Sequence, residues 1–297
     1  MEKNIPTELL VSIISFLPCE YVSICKNICR LWKGSLKSSL SKKTLFVVPK
    51  RLHYCKSFYG GIITCAMTLI KNEIHVSDYT RSYKININTF EKVEENNNFL
   101  RTTHMSSNDN YICINRNNNL EIFSLKMKLI NIIPKKKCQG LIIDNNNNIL
   151  ISTRNKLYIL NLEGKIINSW SLYDNKIGRI NSRNIAYNKN EIFMLNSSSN
   201  HIHVFSYEGK LIRSWKGLGY GYGNLVNSCG IAIYRDTIFV ADSQNYRIQA
   251  FTCCGKFIFE HTFNHRHFIQ EIVISDNYVY VSDNMEISIH KFQIIYD

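Results

Sequence analysis

The sequence predicts a two-part, α plus all-β chain. A short helical domain covers residues 1–43. A six-bladed β-propeller with four antiparallel strands per blade covers 44–297. Three observations carry this reading. Large apolar residues near the N-terminus recur at helical spacing, whereas beyond about position 60 they alternate or form short runs between polar turns. The second part repeats itself with a period of about 40 residues. Each copy holds four short strands, the pattern of a propeller blade, in which ring closure removes the long free sheet edge.

In the first part, Leu9, Leu10, Ile13, Ile14 and Leu17 fall on one helical face, with Thr7 placed to cap the start and Pro18 to stop it. A second apolar series follows at Tyr21, Val22, Cys25, Ile28, Cys29 and Trp32. A segment this small cannot bury all of these side chains within itself. It must pack on the propeller or offer an apolar face to another protein.

Ile5-Pro6-x-Glu8-Leu9-Leu10, then Ile13, Ser15-Phe16-Leu17-Pro18, and Ile28-Cys29-Arg30-x-Trp32 resemble the F-box motif, with matching spacing and no gaps. Ile5 stands where Leu is usual, and Tyr21-Val22 where Asp-Leu is usual; both keep or add apolar surface. The resemblance implies docking on a Skp-type adaptor, and through it on a cullin–RING ubiquitin ligase. The residues it assigns to that contact are Ile5, Pro6, Leu9, Leu10, Ile13, Leu17, Pro18, Ile28 and Trp32.

The repeats are clearest at 140–170, 183–215 and 230–263, with weaker copies at 63–95, 103–133 and 271–297. Strand reading predicts Ile248 and Ala250, with Phe251 beside them, pointing inward and Gln249 outward, with Tyr278 and Tyr280 opposite Val279 and Val281. The last copy barely reaches a fourth strand. Residues 44–58 must close the ring, either as 44–50, favoured for its β-branched run, or as 52–58. The stretch from Gly209 to Phe251 resembles the NHL repeat: Gly-Lys before an outer strand, a Gly-rich crossover, Gly-Ile-Ala-Ile, then Val-Ala-Asp-Ser, Asn245 and Arg247-Ile. That family closes with six blades. Asn196 and His201 depart from its Asp and Arg, which puts the polar contacts of that blade in question.

The formal charge is +13, of which residues 1–60 carry ten Lys/Arg against three Asp/Glu. The propeller is therefore only mildly basic. Its basic segment, 101–140, has seven basic and two acidic residues. Ten cysteines without paired spacing read as reduced thiols. No signal pattern and no run of ~20 apolar residues is present, so the expectation is an intracellular protein, cytoplasmic or nuclear, without membrane contact.

No Gly-x-Ser-x-Gly, phosphate loop or paired-carboxylate motif appears, and no cofactor is implied. His261, His265 and His267 form H-x-x-x-H-x-H, read as a solvated loop with metal binding as the sharper alternative. The turns between second and third strands and the crossovers should form the ligand face. Its candidate residues are Tyr79, Arg81, Arg116, Lys135, Lys136, Lys137, Arg154, Tyr220, Tyr222, Asn245 and Tyr246. The expectation is a non-catalytic substrate receptor of an SCF-type ligase with an unknown target protein. The alternatives are an RNA-binding propeller and a metal-dependent propeller hydrolase or lyase.

Overall fold

The computed structural model describes residues 49–60, 63–95, 99–134, 136–174, 178–215 and 217–296. The F-box-like motif and the rest of the helical domain lie outside the described residues. Within them the chain forms six four-stranded antiparallel sheets, each ordered from the centre of the ring outward. Blade 1 is Ala66–Ile70, Glu73–Ser77, Ser82–Asn86 and Lys92–Glu95. Blade 2 is Thr102–Ser107, Tyr111–Arg116, Asn119–Ser124 and Leu129–Ile133, and blade 3 is Gly140–Ile143, Ile149–Ser152, Lys156–Leu160 and Ile166–Ser171. Blade 4 is Ser182–Asn188, Glu191–Asn196, His201–Ser206 and Leu211–Trp215, and blade 5 is Ile231–Tyr234, Thr237–Asp242, Arg247–Thr252 and Phe257–Thr262. Blade 6 takes Ile269–Ser275, Tyr278–Asp283 and Ser288–Ile295 from the C-terminal end and its outermost strand, Arg51–Tyr59, from the other end of the propeller.

This last pairing closes the ring, with Arg51 opposite Ile295 and Tyr59 opposite Ser288. The closing strand is thus the 52–58 run and not the favoured 44–50. An outermost strand is only partly covered: of Arg51–Tyr59 only Leu52 is buried, so β-branched richness does not select it. Linkage does. A strand ending at Tyr59 leaves 60–65 to reach the first strand of blade 1, as 134–139 and 263–268 serve other blades.

Six core clusters lie between successive blades, one for each interface. The period-2 strand pattern feeds them, because side chains on opposite faces of a strand enter different interfaces. Val279 and Val281 pack towards blade 5, whereas Tyr280 packs towards blade 1. Ile248 and Ala250 pack towards blade 6, and Phe251 towards blade 4. Gln249 does not point into solvent as expected; it is 0% exposed. A propeller strand has a neighbouring blade on each face, so its polar residues must be satisfied inside.

The Gly-Lys turns lock blade to blade. Gly164, Gly209 and Gly255 have φ of +83°, +92° and +83° in the turns leading to outer strands, where glycine meets no Cβ penalty. Each sits under an outer-strand side chain of the preceding blade: Ile133, Trp170 and Trp215 respectively. A Cβ at Gly209 would lie 2.6 Å from the Trp170 ring, and one at Gly255 2.5 Å from that of Trp215. Where the sequence lacks Gly-Lys, in blades 1 and 2, Phe90 and Met127 carry the positive φ instead.

Candidate functional site

In an antiparallel blade the turn between strands two and three, the end of strand four and the start of strand one share one edge. The crossovers therefore gather with those turns on one face of the ring. At its centre lies a cavity of about 500 Å³. The second-to-third turns contribute Tyr79, Asn117 and Asn118, the crossovers Cys65, Arg101, Lys137, Cys138 and Cys229, and the strands Thr103, His104, Asn115, Arg183, Gln270 and Glu271.

A local irregularity aims several of these side chains. The first strands of blades 2, 4 and 6 each carry one extra residue against their neighbour, at Thr103, Arg183 and within Gln270–Glu271. A bulge leaves its extra residue out of the ladder and re-aims it. All of these residues line the cavity. The first strands of blades 3 and 5 pair without a slip. Glycines at or just before them meet the bulged neighbours closely. A Cβ on Gly140 would be 3.1 Å from the Ile185 nitrogen, and one on Gly230 2.6 Å from the Gln270 oxygen.

Burial pushes the Glu271 carboxyl up to about 8, against the smaller opposing effects of an Asn184 Nδ2 donor at 3.3 Å and of the Arg183 charge. Burial also lowers His104 to about 4 and raises Cys65 and Cys229. Near neutral pH the cavity wall thus carries a mostly protonated carboxyl with the Arg183 charge acting on it, and Arg101 and Lys137 line the same cavity. Glu271 binds its proton more tightly folded than unfolded, so its ionisation costs stability as pH rises. The cost is absent below about 4.5, grows up to about 8 and is constant above. The unfolding free energy of Glu271→Gln, measured against pH, is expected to gain on wild type across that window, by a few kcal/mol at most. Parallel profiles would show that the carboxyl titrates as a solvated one.

The same face carries exposed apolar side chains: Tyr79, Tyr173, Leu218, Tyr220, Tyr222 and Met285. Tyr220 and Tyr222 are 82% and 76% exposed, yet their crossover is firmly held. Arg247 pairs with Asp242 at 2.9 Å and Glu260 at 2.8 Å, and donates to the carbonyls of Tyr220, Gly221 and Asn224. Gln249 donates to Asp242 and to the Asn224 carbonyl, and accepts from the Gly223 N–H.

Of the residues predicted for this face, Tyr79 and Lys137 line the cavity. Tyr220 and Tyr222 stand on the crossover, and Arg81 and Arg154 are exposed at turns. Arg116 is engaged by Glu121 within its own blade (Nε–Oε1 3.0 Å). Lys136 lies over the Tyr158 ring at 5.2 Å. Asn245 braces Gly219 and Asp242, and Tyr246 caps a short 3₁₀ turn in the left-handed conformation. Lys135 lies outside the described residues. Sequence reasoning missed Arg101, Thr103, His104, Arg183, Gln270 and Glu271; the one available signal was their common place at the start of each copy. The basic segment 101–140 is divided, with Arg101, Arg116, Lys136 and Lys137 near this face and Lys126 and Lys128 at a third-to-fourth turn on the other.

No protein-family model matches the chain, and no curated protein matches it in sequence. The F-box and NHL resemblances therefore rest on the residues quoted above. Solved structures do match. A streptogramin B lyase structure aligns with a TM-score of 0.57 at 13% identity, over 84% of this chain and 100% of that one. A catalytically inactive variant of virginiamycin B lyase from Staphylococcus aureus, solved with quinupristin, gives 0.57 at 12% identity over 81% and 99%. A protein of unknown function from Bacteroides caccae gives 0.52 at 15% identity over 69% and 79%. The likeness is one of fold.

The three histidines of the H-x-x-x-H-x-H run are not brought together as the metal alternative would require, and the run is not uniformly a solvated loop. His265 is exposed and His261 packs edge-on against Phe292 at 4.8 Å. His267 is buried, in another group of side chains, with Asp283, Glu286 and His290 of blade 6. Among the described residues, Cys55, Cys65, Cys113, Cys138, Cys229 and Cys253 are free thiols.

Proposed function

We propose that the chain is the substrate-recognition subunit of an SCF-type ubiquitin ligase, docking on a Skp-type adaptor through Ile5–Trp32 and holding a target protein on the cavity face of the propeller. It performs no chemistry itself. Its contribution is to raise the effective concentration of a target lysine near the conjugating enzyme. The observation that carries the reading is the gap-free F-box-like spacing of Ile5–Trp32 ahead of the strand that closes the ring.

The propeller face supports the second half of the reading. Exposed Tyr side chains on a braced crossover make good contact surface at low entropic cost. A cavity lined by Arg101, Lys137 and Arg183, with Glu271 protonated, suits an acidic side chain or acidic stretch of the target. An RNA ligand is the weaker reading, because the basic segment is divided between opposite faces and so offers no continuous track for a phosphate backbone.

Co-purification with a eukaryotic Skp-type adaptor tests the proposal. The wild-type chain is expected to form a stoichiometric complex. A Leu9→Asp/Leu10→Asp variant is expected to lose at least 100-fold in affinity, since two charges would be buried unpaired in an apolar contact. Undiminished binding by the variant would remove the F-box reading.

A further inference from the structure

Blades 5 and 6 can be superimposed by register. Asp242 opposes Arg247, and Val240 opposes Gln249; in blade 6 Asp283 opposes Ser288, and Val281 opposes His290. The cation that neutralises the buried aspartate of blade 5 is thus a serine in blade 6. Three residues after each aspartate, Asn245 of blade 5 becomes Glu286. Blade 6 has gained a carboxylate and lost its arginine. Among the described residues the ion-pair partners of Asp283 and Glu286 are the imidazoles of His267 and His290.

The imidazoles are set as ligands. His290 Nδ1 lies 2.6 Å from Ser57 Oγ on the closing strand. With its proton directed there, the Nε2 lone pair faces Asp283 Oδ2 at 3.4 Å and Glu286 Oε2 at 3.9 Å. His267 holds Asp283 through Nδ1 and turns Nε2 to Glu286 Oε1 at 3.8 Å. Ser288 Oγ also stands 3.2 Å from His290 Nε2, and ligand atoms of all four residues converge at this point. One ligand atom from each of the four residues lies within 4.8 Å of all the others. Ligands at ~2.0–2.1 Å from a tetrahedral ion stand about 3.3 Å apart, so an inward move of the Glu286 loop and an opening of the short His267–Asp283 contact complete the set. Phe263 covers the two histidines, at 4.5 Å from His267 and 5.4 Å from His290. A ring hydrogen-bonded at one nitrogen and shielded by apolar neighbours is the usual setting of a metal-bound histidine.

We propose that His267, Asp283, Glu286 and His290 bind one divalent zinc-class ion. Four protein ligands leave no open position, so the ion acts as a clasp and not as a catalyst. It joins the crossover into blade 6, its second strand, the following turn and its third strand. Through Ser57 it supports the strand that closes the ring. The proposal is independent of adaptor binding and of the identity of the target.

Cobalt(II) titration of the metal-stripped full chain is the test, with two variants. His290→Gln installs the residue that blade 5 already uses at this place, and Glu286→Gln changes only a half-exposed turn. The wild type is expected to bind one cobalt per chain with the intense visible bands of a tetrahedral site, displaced by zinc, and to melt at a higher temperature with the metal. Glu286→Gln should weaken binding at least tenfold, and folded His290→Gln should show no tetrahedral bands. Absence of these bands in the wild type, or equal bands in Glu286→Gln, would overturn the proposal and leave a proton-shared His–Asp brace.

Discussion

Replacing Arg247 with methionine is expected to lower the unfolding free energy by about 3–5 kcal/mol in urea denaturation. The guanidinium is 6% exposed and Asp242 is fully buried, so truncating one partner strands a carboxylate that water cannot reach. Glu260 loses its partner as well, and three crossover carbonyls lose a donor. Methionine keeps much of the stem packing, so the loss reports the charge and its hydrogen bonds and not a cavity. The effect should also be local. Backbone amides of 217–227 are expected to exchange faster than those of blades 1–3, since Arg247 and Gln249 tie this crossover to its blade. A change below 1 kcal/mol would mean that the network is solvated and the crossover holds itself.

Gly255→Ala is expected to cost about 2–5 kcal/mol, an unusually large effect for one methyl group in a turn. Two terms add. An L-residue at φ +83° pays roughly 1–2 kcal/mol for its Cβ, and the new atom would lie 2.5 Å from the Trp215 ring, a further overpacking cost of about 1–3 kcal/mol. A double-mutant cycle with Trp215→Ala separates them. The steric part should vanish when the ring is absent, and the backbone part should stay. Strict additivity would show that the indole moves aside freely and that the turn does not lock blade to blade.

These two sites mark what the sequence discloses and what it hides. Gly-Lys turns, the Asp–Asn–Arg series and strand alternation are local signals, and they place all six blades within a few residues. Closure was harder to read. The outermost strand is mostly exposed, so the β-branched run of 44–50 points away from Arg51–Tyr59, the segment that pairs. Gln249 misled because one strand pattern was read as having a wet side, which a blade between two others lacks. Tyr79 and Lys137 could be named because they sit on turns at the ligand face. Arg183 and Glu271 could not: they lie on bulged strands of different blades, 88 positions apart, and nothing in their spacing says that the ring brings them to one cavity. His267 was noticed for its neighbours in sequence, whereas its partners in space are Asp283 and His290.

The alternation of slipped and regular first strands gives the lumen a threefold rhythm inside a sixfold ring. Odd-numbered blades 3 and 5 supply glycines where even-numbered ones thicken. The smallest interchangeable module is therefore a pair of blades, about 80 residues, twice the period that the sequence displays. A chimera replacing a single blade by one of the other type would set swelling against swelling, or gap against gap, at both of its junctions. One exchanging adjacent pairs would keep every junction matched, and would carry a complete third of the cavity wall with it.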